Sequence, residues 1–317
     1  MISVTAAAPA RLRVTRRGIQ IVLGLLWLLD GLLQFQPAML TPKFAIEVIA
    51  PAGAGQPGFV AGPVGEVVRI ILHQPAIVDV AFGLIQLALG AGILWARTAR
   101  RALAASVVWA LLVWYLGEGL GGLLGGASSL LTGAPGAALL YAVLALAASP
   151  RRDGAAAAEA PPRWTAAAWA AVWLGGAVLQ LLPGRDTNAA IGMSLAMNAS
   201  GAPSWFAPIG AHLAALVPVS GVSIVVDLVV LQAFAGVGAL RAPRVRLAAV
   251  IVGCGLALAY WVAGQGLGQP WSGLVTDPGT APLLVLLGLA VLGAPPWRRP
   301  AGEPSPEPVV LGTLGAR

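Results

Sequence analysis

Apolar residues run through this chain in long unbroken stretches, without the strict alternation of a half-buried strand. Eight of them, at about 19–36, 76–95, 102–120, 130–148, 164–182, 222–240, 245–263 and 279–295, reach the ~17–25 residues that a helix needs to cross a bilayer. They are rich in Ala, Leu, Val and Gly, as helices packed closely on one another tend to be. The connections are of two kinds. Short ones are basic, whereas 37–75 and 183–221 each run nearly forty residues, long for idle loops in a compact protein. Each long connection contains an apolar segment begun by proline, PVGEVVRIIL at 63–72 and PIGAHLAALV at 208–217. These predict short helices in the outer interface; a lid that only packs over the bundle is the alternative.

The pattern is written twice. At an offset of 146, Trp27, Gln34 and Pro37 fall on Trp173, Gln180 and Pro183, and Gly55 and Pro57 on Gly201 and Pro203. Gln86, Gly90 and Gly92 fall on Gln232, Gly236 and Gly238; one residue further on, Gly117, Gly119, Leu120 and Gly121 fall on Gly264, Gly266, Leu267 and Gly268. Shared composition does not produce so many coincidences of Gly, Pro, Gln and Trp at one offset, so the chain reads as a tandem duplication of a four-span unit. Four is even, so the second copy enters on the same side as the first, and the copies are expected to be parallel, related by an axis along the membrane normal. The divisions are a basic amino terminus at 1–17, repeats at 18–148 and 164–296, a polar linker at 149–163 and a tail at 297–317 whose composition is that of a disordered end.

Composition agrees with the membrane reading. Apolar residues make up 58% of the 317, charged residues only 10%, and the mean hydropathy is +0.85, against about 25% charged for an ordinary soluble domain. The net charge of +7 would suit nucleic acid, but its placement has a simpler cause. Sixteen of the nineteen Lys and Arg fall at the two termini and in the short connections; Lys43, Arg69 and Arg185 lie on the other side. By the positive-inside rule the termini and basic loops are cytoplasmic, which places the protein in the plasma membrane and removes the need for a nucleic-acid partner. Arg16-Arg17 before an apolar run resembles a secretion signal, but no small-residue cleavage site follows, so the first span is read as uncleaved. A single cysteine, Cys254, excludes an intrachain disulfide.

Candidate chemistry gathers on the outer side. The phrase GEGLGGLLGGASSLLTGAPG at 117–136 spends eight glycines between two apolar runs, and GQGLGQPWSGLVTDPG at 264–279 repeats it with Gln265 where the first copy has Glu118. Gly117, Gly119 and Gly122 spell GxGxxG, yet they end a helix instead of joining a strand to one, which fails the context of a dinucleotide site. Glycines at a helix end instead permit left-handed turns and close backbone approach, and the phrase is expected to wall an outward-facing pocket. Asp30, Asp79, Glu118 and Asp227 fall within or at the ends of spans, where carboxylates carry a high insertion cost and point to function. Asp30 falls on Gly176 and Glu118 on Gln265, so an acid cluster belongs to the first copy; the bland reading is that these acids only accept local hydrogen bonds. Gln34, Gln86 and their counterparts Gln180 and Gln232 are two repeated amide pairs, read as interhelical hydrogen bonds ahead of ligand contacts. His73 and His212 are non-equivalent, so no bis-histidyl haem set exists. Met193, Met197 and His212 are scattered soft donors and make a weak metal set. No catalytic constellation is complete, which favours an accessory membrane subunit over a stand-alone enzyme.

GLLWLLDGLLQFQP at 24–37, GQPGFV at 55–60 and PAIVDVAFGLIQLALGAGILWARTAR at 75–100 resemble the DoxX/DoxD-type family of four-span membrane proteins, across 16–148 and more faintly 164–295. The resemblance implies a helical four-span fold and a place beside a quinone-linked or thiol-linked redox process, with an extracytoplasmic or membrane redox protein as partner and quinone as a candidate cofactor. The family tends to carry a basic residue at the position of Gln34 and an acidic one at Gln86, so this chain departs from it at both.

The expected architecture is therefore all-α: a polytopic membrane helix bundle of eight transmembrane helices, arranged as two parallel four-helix repeats with short interfacial helices on the extracytoplasmic side. The expected function is that of a membrane partner to an extracytoplasmic redox process, with a solute or proton-coupled transporter and a purely structural scaffold as alternatives.

Overall fold

A computed structural model describes residues 14–126, 128–150 and 159–295. Most of the amino-terminal basic segment, the linker residues 151–158 and the tail lie outside the described residues. Those described are helical and contain no strand. The α-helices are α1 (Arg16–Leu33), α2 (Gly58–His73), α3 (Pro75–Leu94), α4 (Ala99–Leu116), α5 (Ala137–Ala148), α6 (Trp164–Gln180), α7 (Asn188–Ser200), α8 (Ala207–Leu216), α9 (Ser223–Gly238), α10 (Pro243–Ala263) and α11 (Thr280–Gly293). Three of these, α3, α4 and α10, are long and apolar enough to cross a membrane.

Helix starts and stops follow local chemistry. Thr15 caps α1 by accepting from the Gly18 N–H, and Thr187 caps α7 through the Ala190 N–H. Pro75 and Pro243 stand in the first turns of α3 and α10, where no intrahelical N–H is needed. Arg17 donates to the carbonyls of Ile93 and Leu94 at the end of α3, and Arg246 to those of Ala239 and Ala294 beyond the ends of α9 and α11. Guanidinium groups thus satisfy carbonyls that a helix end leaves open.

The halves use the same pairings. α1 lies along α3 and α6 along α9, while α4 packs on α5 and α10 on α11. Small residues allow the close approach: a Cβ on Gly90 would come within 2.7 Å of the Gly24 carbonyl oxygen, and one on Gly236 within 3.2 Å of the Ala170 carbonyl. At the centre α5 packs against α11, and both are apolar and largely buried all round. Around this pair the outward faces of the other helices carry exposed large apolar side chains, among them Leu25, Leu32, Leu84, Val108, Val230 and Ile251.

One expected span needs correcting. Of the stretch 130–148, only Ala137–Ala148 is α-helical. Leu130–Thr132 is a separate 3-10 turn, closed by reciprocal Ser129 and Thr132 capping bonds, and Gly133 and Gly136 follow with positive φ. The apolar residues of that turn face the other half of the molecule. The segment 63–72 falls in α2 and all but the last residue of 208–217 in α8, and the rest of each long connection is also largely helical. A π-helical turn (Phe44–Ile49) continues into a 3-10 turn (Ala50–Gly53) in the first half, where the second half has α7.

The glycine phrases fold alike. Gly119, Leu120, Gly121 and Gly122 have φ of 54°, 58°, 63° and 71°; Gly266, Leu267, Gly268 and Gln269 have 54°, 56°, 76° and 56°. Four consecutive residues in the left-handed region are rare, because each non-glycine there costs about 1–2 kcal/mol. Gly121 also has no room for a side chain: a Cβ would collide with the Pro135 carbonyl, as one on Gly268 would crowd that of Pro278 at 3.0 Å. Each turn is pinned by an indole, Trp114 Nε1 donating to Pro135 O and Trp261 Nε1 to Pro278 O, both at 2.7 Å.

Candidate functional site in the first half

A cavity of about 560 Å³ opens between α1, α3, α4 and α5, with the 44–53 segment and α2 over it. Of the residues singled out in the sequence, Asp30, Gln34, Gln86, Gly117 and Glu118 line it. Asp79, Gly119 and Gly122 do not. Asp79 is buried elsewhere on α3 with neither carboxylate oxygen bonded among the described residues, Gly119 packs under the Ala52 carbonyl, and the Gly122 carbonyl accepts from Ser128 Oγ.

Each polar group has a structural reason for its position. Asp30 and Gln34 sit one helical turn apart at the carboxy-terminal end of α1, on the same face. Gln86 comes from the middle of α3. Glu118 follows the end of α4, and its Oε1 accepts from the Ala138 N–H at 3.0 Å, which ties it to the first turn of α5. Tyr141 packs on Trp27, ring centroids 4.4 Å apart and the planes tilted by 45°. Trp27 is itself fixed by a 2.8 Å bond from its Nε1 to Ser106 Oγ.

Six buried polar atoms in this cavity have no hydrogen-bond partner among the described residues: Asp30 Oδ1, Gln34 Oε1, Gln86 Oε1, Glu118 Oε2, Trp109 Nε1 and the Tyr141 hydroxyl. Buried polar groups in folded proteins are nearly always paired, and each one left open costs about 1–3 kcal/mol. Six in one cavity signal a place where something else completes them.

One further acid was not singled out from the sequence. Asp277, from the connection before α11 in the second half, reaches across and lines the cavity of the first. Its Oδ1 accepts from the Gly279 N–H and its Oδ2 from Thr276 Oγ1, each at 2.8 Å. Burial raises its pKa above the usual carboxylate range, and the two hydrogen bonds offset only part of that. Asp277 stands within electrostatic range of both Asp30 and Glu118. The same connection is anchored by Gln36 Nε2, which donates to the Val275 carbonyl. The signal available in the sequence was the acid in the TDPG end of the second glycine phrase, aligned with GAPG in the first; which half it would serve was not visible there.

The exchange is mutual, but the second half is closed. The 129–133 turn of the first half crosses to the second, and Leu130 is buried against Gly176, the counterpart of Asp30. A Cβ on Gly176 would overlap the tip of Leu130. Gln265, the counterpart of Glu118, donates to the Leu130 carbonyl and accepts from the N–H and hydroxyl of Thr280. Gln180 donates to the Arg185 carbonyl at 2.5 Å and Gln232 to the Tyr260 hydroxyl at 2.9 Å. The position of Tyr260 corresponds to Val113 in the first half, so Gln86 has no such partner. Asp227 is exposed near the start of α9. Met193 and Met197 are exposed on α7.

No known family model, curated protein or solved structure matches this chain; its function is therefore read from the cavity itself.

Proposed function

We propose that the chain is a multi-pass plasma-membrane protein of eight spans, built as two parallel four-helix repeats with both termini cytoplasmic, that binds a small molecule in the cavity of its first half. The ring of exposed apolar side chains supports the membrane reading, since a soluble monomer rarely exposes a large continuous apolar surface. The gathering of Arg16, Arg17, Arg97, Arg100 and Arg101 where α1 and α4 begin and α3 ends supports the orientation. The carrying observation for binding is the set of six unpartnered polar atoms in one cavity, whose volume falls in the ~300–1,000 Å³ range of ligand sites.

The second repeat acts as a partner to the first: plugged by Leu130 itself, it supplies Asp277 in return. Beneath Trp27, Gln86, Trp109 and Tyr141 the interior is solid, with Leu23, Ile93, Leu103 and Leu144 all fully buried. A closed floor favours a binding partner over a through-carrier. Under the DoxX-type resemblance the chain would serve an extracytoplasmic redox process. Trp109 N–H and the Tyr141 hydroxyl are donors that a quinone carbonyl could use, whereas Cys254 is not among the cavity's lining residues, so a thiol-linked role has no thiol of this chain there.

Mass spectrometry of small molecules and lipids retained by the purified chain in nanodiscs tests this reading. Wild type is expected to retain a molecule that the cavity-filling variant Ala138→Phe loses while keeping its elution profile and Tm. Identical retention by both proteins would refute the cavity as a binding site.

A further inference from the structure

The cavity has two unlike walls, and their chemistry restricts what can fill it. One wall, from α1, the loop after α4, the start of α5 and the crossing loop, carries Asp30, Glu118 and Asp277 with the rings of Trp27 and Tyr141. The other wall, from α3 and α4, is apolar apart from Gln86 and the Trp109 N–H: Phe82 meets Trp109 edge to face at 5.5 Å, and Leu112, Val113 and Leu116 continue the surface. Leu112 lines the cavity and is also 47% exposed on the outer flank of α4, next to exposed Val108 and Leu111. The apolar wall therefore runs out to the surface that the membrane reading gives to lipid.

Five of the six unpartnered atoms are oxygens that can accept hydrogen bonds, and two of those five belong to carboxyl groups. Among the described residues no Lys, Arg or His lines the cavity, so these walls supply no countercharge. The acids do not converge on one point either: no group of three acidic, His or Cys side chains among the described residues is placed to hold a metal ion. A diffuse positive charge matches this arrangement better than a point charge, because aromatic faces attract cations as well.

Resting on the binding reading above, we propose that the ligand is an amphiphilic organic cation, a protonated amine or quaternary ammonium group bearing an apolar ring or chain. Its head lies among Asp30, Glu118 and Asp277 over the Trp27 and Tyr141 rings, and its apolar part lies along Phe82, Trp109 and Leu112. The second half cannot take such a ligand, since Gly176, Gln265 and Ala134 replace the three acids and Leu130 fills the space.

The test uses the full chain in nanodiscs and three probes: benzyltrimethylammonium, its uncharged isostere neopentylbenzene, and a short-chain ubiquinone analogue. Binding is read by quenching of tryptophan fluorescence and by calorimetry. The ammonium probe is expected to bind at least tenfold more tightly than the isostere. Glu118→Gln with Asp277→Asn is expected to weaken it at least tenfold, and Asp30→Asn alone gives the same direction in a second, milder variant. Gel filtration and Tm confirm that each variant is folded. Equal binding of ammonium probe and isostere, or loss of neither in the folded acid variants, overturns the cation inference; saturable quinone binding abolished by Ala138→Phe would then leave the cavity reading standing. No binding by any probe, with Ala138→Phe indistinguishable from wild type, overturns both. Competition by phosphatidylcholine nanodiscs against phosphatidylglycerol ones identifies a lipid headgroup as the cation's source, and its absence identifies a free amine; either result follows only on specific binding and supports the proposal.

Discussion

Leu130 and Gly176 offer a direct measure of how the second half is closed. Leu130→Ala removes three buried carbons from the tip of the crossing turn. At about 0.8 kcal/mol per methylene the loss of burial alone is ~2.4 kcal/mol, and the void it leaves brings the expected cost to about 3 kcal/mol within the usual ~2–5 range. Gly176→Ala acts from the opposite side. Its methyl would overlap Leu130 Cδ1 and lie 2.5 Å from Cγ and 2.9 Å from Gln232 Oε1. Overpacking of this kind costs ~1–3 kcal/mol, reduced by up to about 1 kcal/mol because alanine favours the α6 helix over glycine. Together the two changes fit: the methyl added at position 176 enters space that Leu130 has vacated. The double variant is therefore expected to be no less stable than Leu130→Ala alone, a coupling of about 1–2 kcal/mol. Reversible unfolding in mild detergent, read by circular dichroism for all four proteins, measures it. Additive effects within ~0.5 kcal/mol would mean that the two residues do not compete for one space, and would refute Leu130 as the plug.

Three further outcomes follow from the same geometry. Gly121→Ala, at φ 63° and against the Pro135 carbonyl, is expected to destabilise by at least ~2 kcal/mol, whereas Gly65→Ala, in α2 with nothing within 4 Å, should stabilise by ~0.4–1 kcal/mol; equal shifts in Tm would count against the left-handed turn. Because burial raises the pKa of Asp277, the folded state holds its proton more tightly than the unfolded one, so its stabilising contribution is present at low pH and is lost as pH rises through the folded pKa. Asp277→Asn should thus gain in Tm over wild type as pH is raised from about 4 to about 8, and a constant difference would contradict the burial. Asp79→Asn should leave retention of the bound molecule unchanged, because Asp79 lies outside the cavity, while Tm rises or holds since an unpaired buried carboxylate is removed; loss of the molecule would place Asp79 in the site.

The apolar stretches and the 146-residue offset determined a great deal. Helix identity needs only local periodicity, length and turn chemistry, so α1, α3, α4, α6, α9, α10 and α11 fall within a few residues of the stretches that predict them. The left-handed turns at Gly119–Gly122 and Gly266–Gln269 were likewise legible as glycine phrases, because a glycine's special conformational freedom is a local property. The first-half location of Asp30 and Glu118 followed from comparing the copies with each other. What the sequence could not disclose is which groups meet across the molecule. The break in 130–148 is caused by a 3-10 turn whose apolar residues are satisfied only in the other half, and apolarity alone looks the same in either setting. Asp277 belongs to the second copy by position and to the first copy's cavity by contact, since the two connections cross between the halves. Gln34 and Gln86 resemble Gln180 and Gln232 in every local respect, yet the latter pair donate their amide N–H groups to Arg185 and Tyr260, although Gln232 Oε1 is unpartnered too, while the former line the open cavity. A hydrogen bond depends on what the packed helices bring within about 3 Å, so tertiary structure alone decided that one half is sealed and the other open.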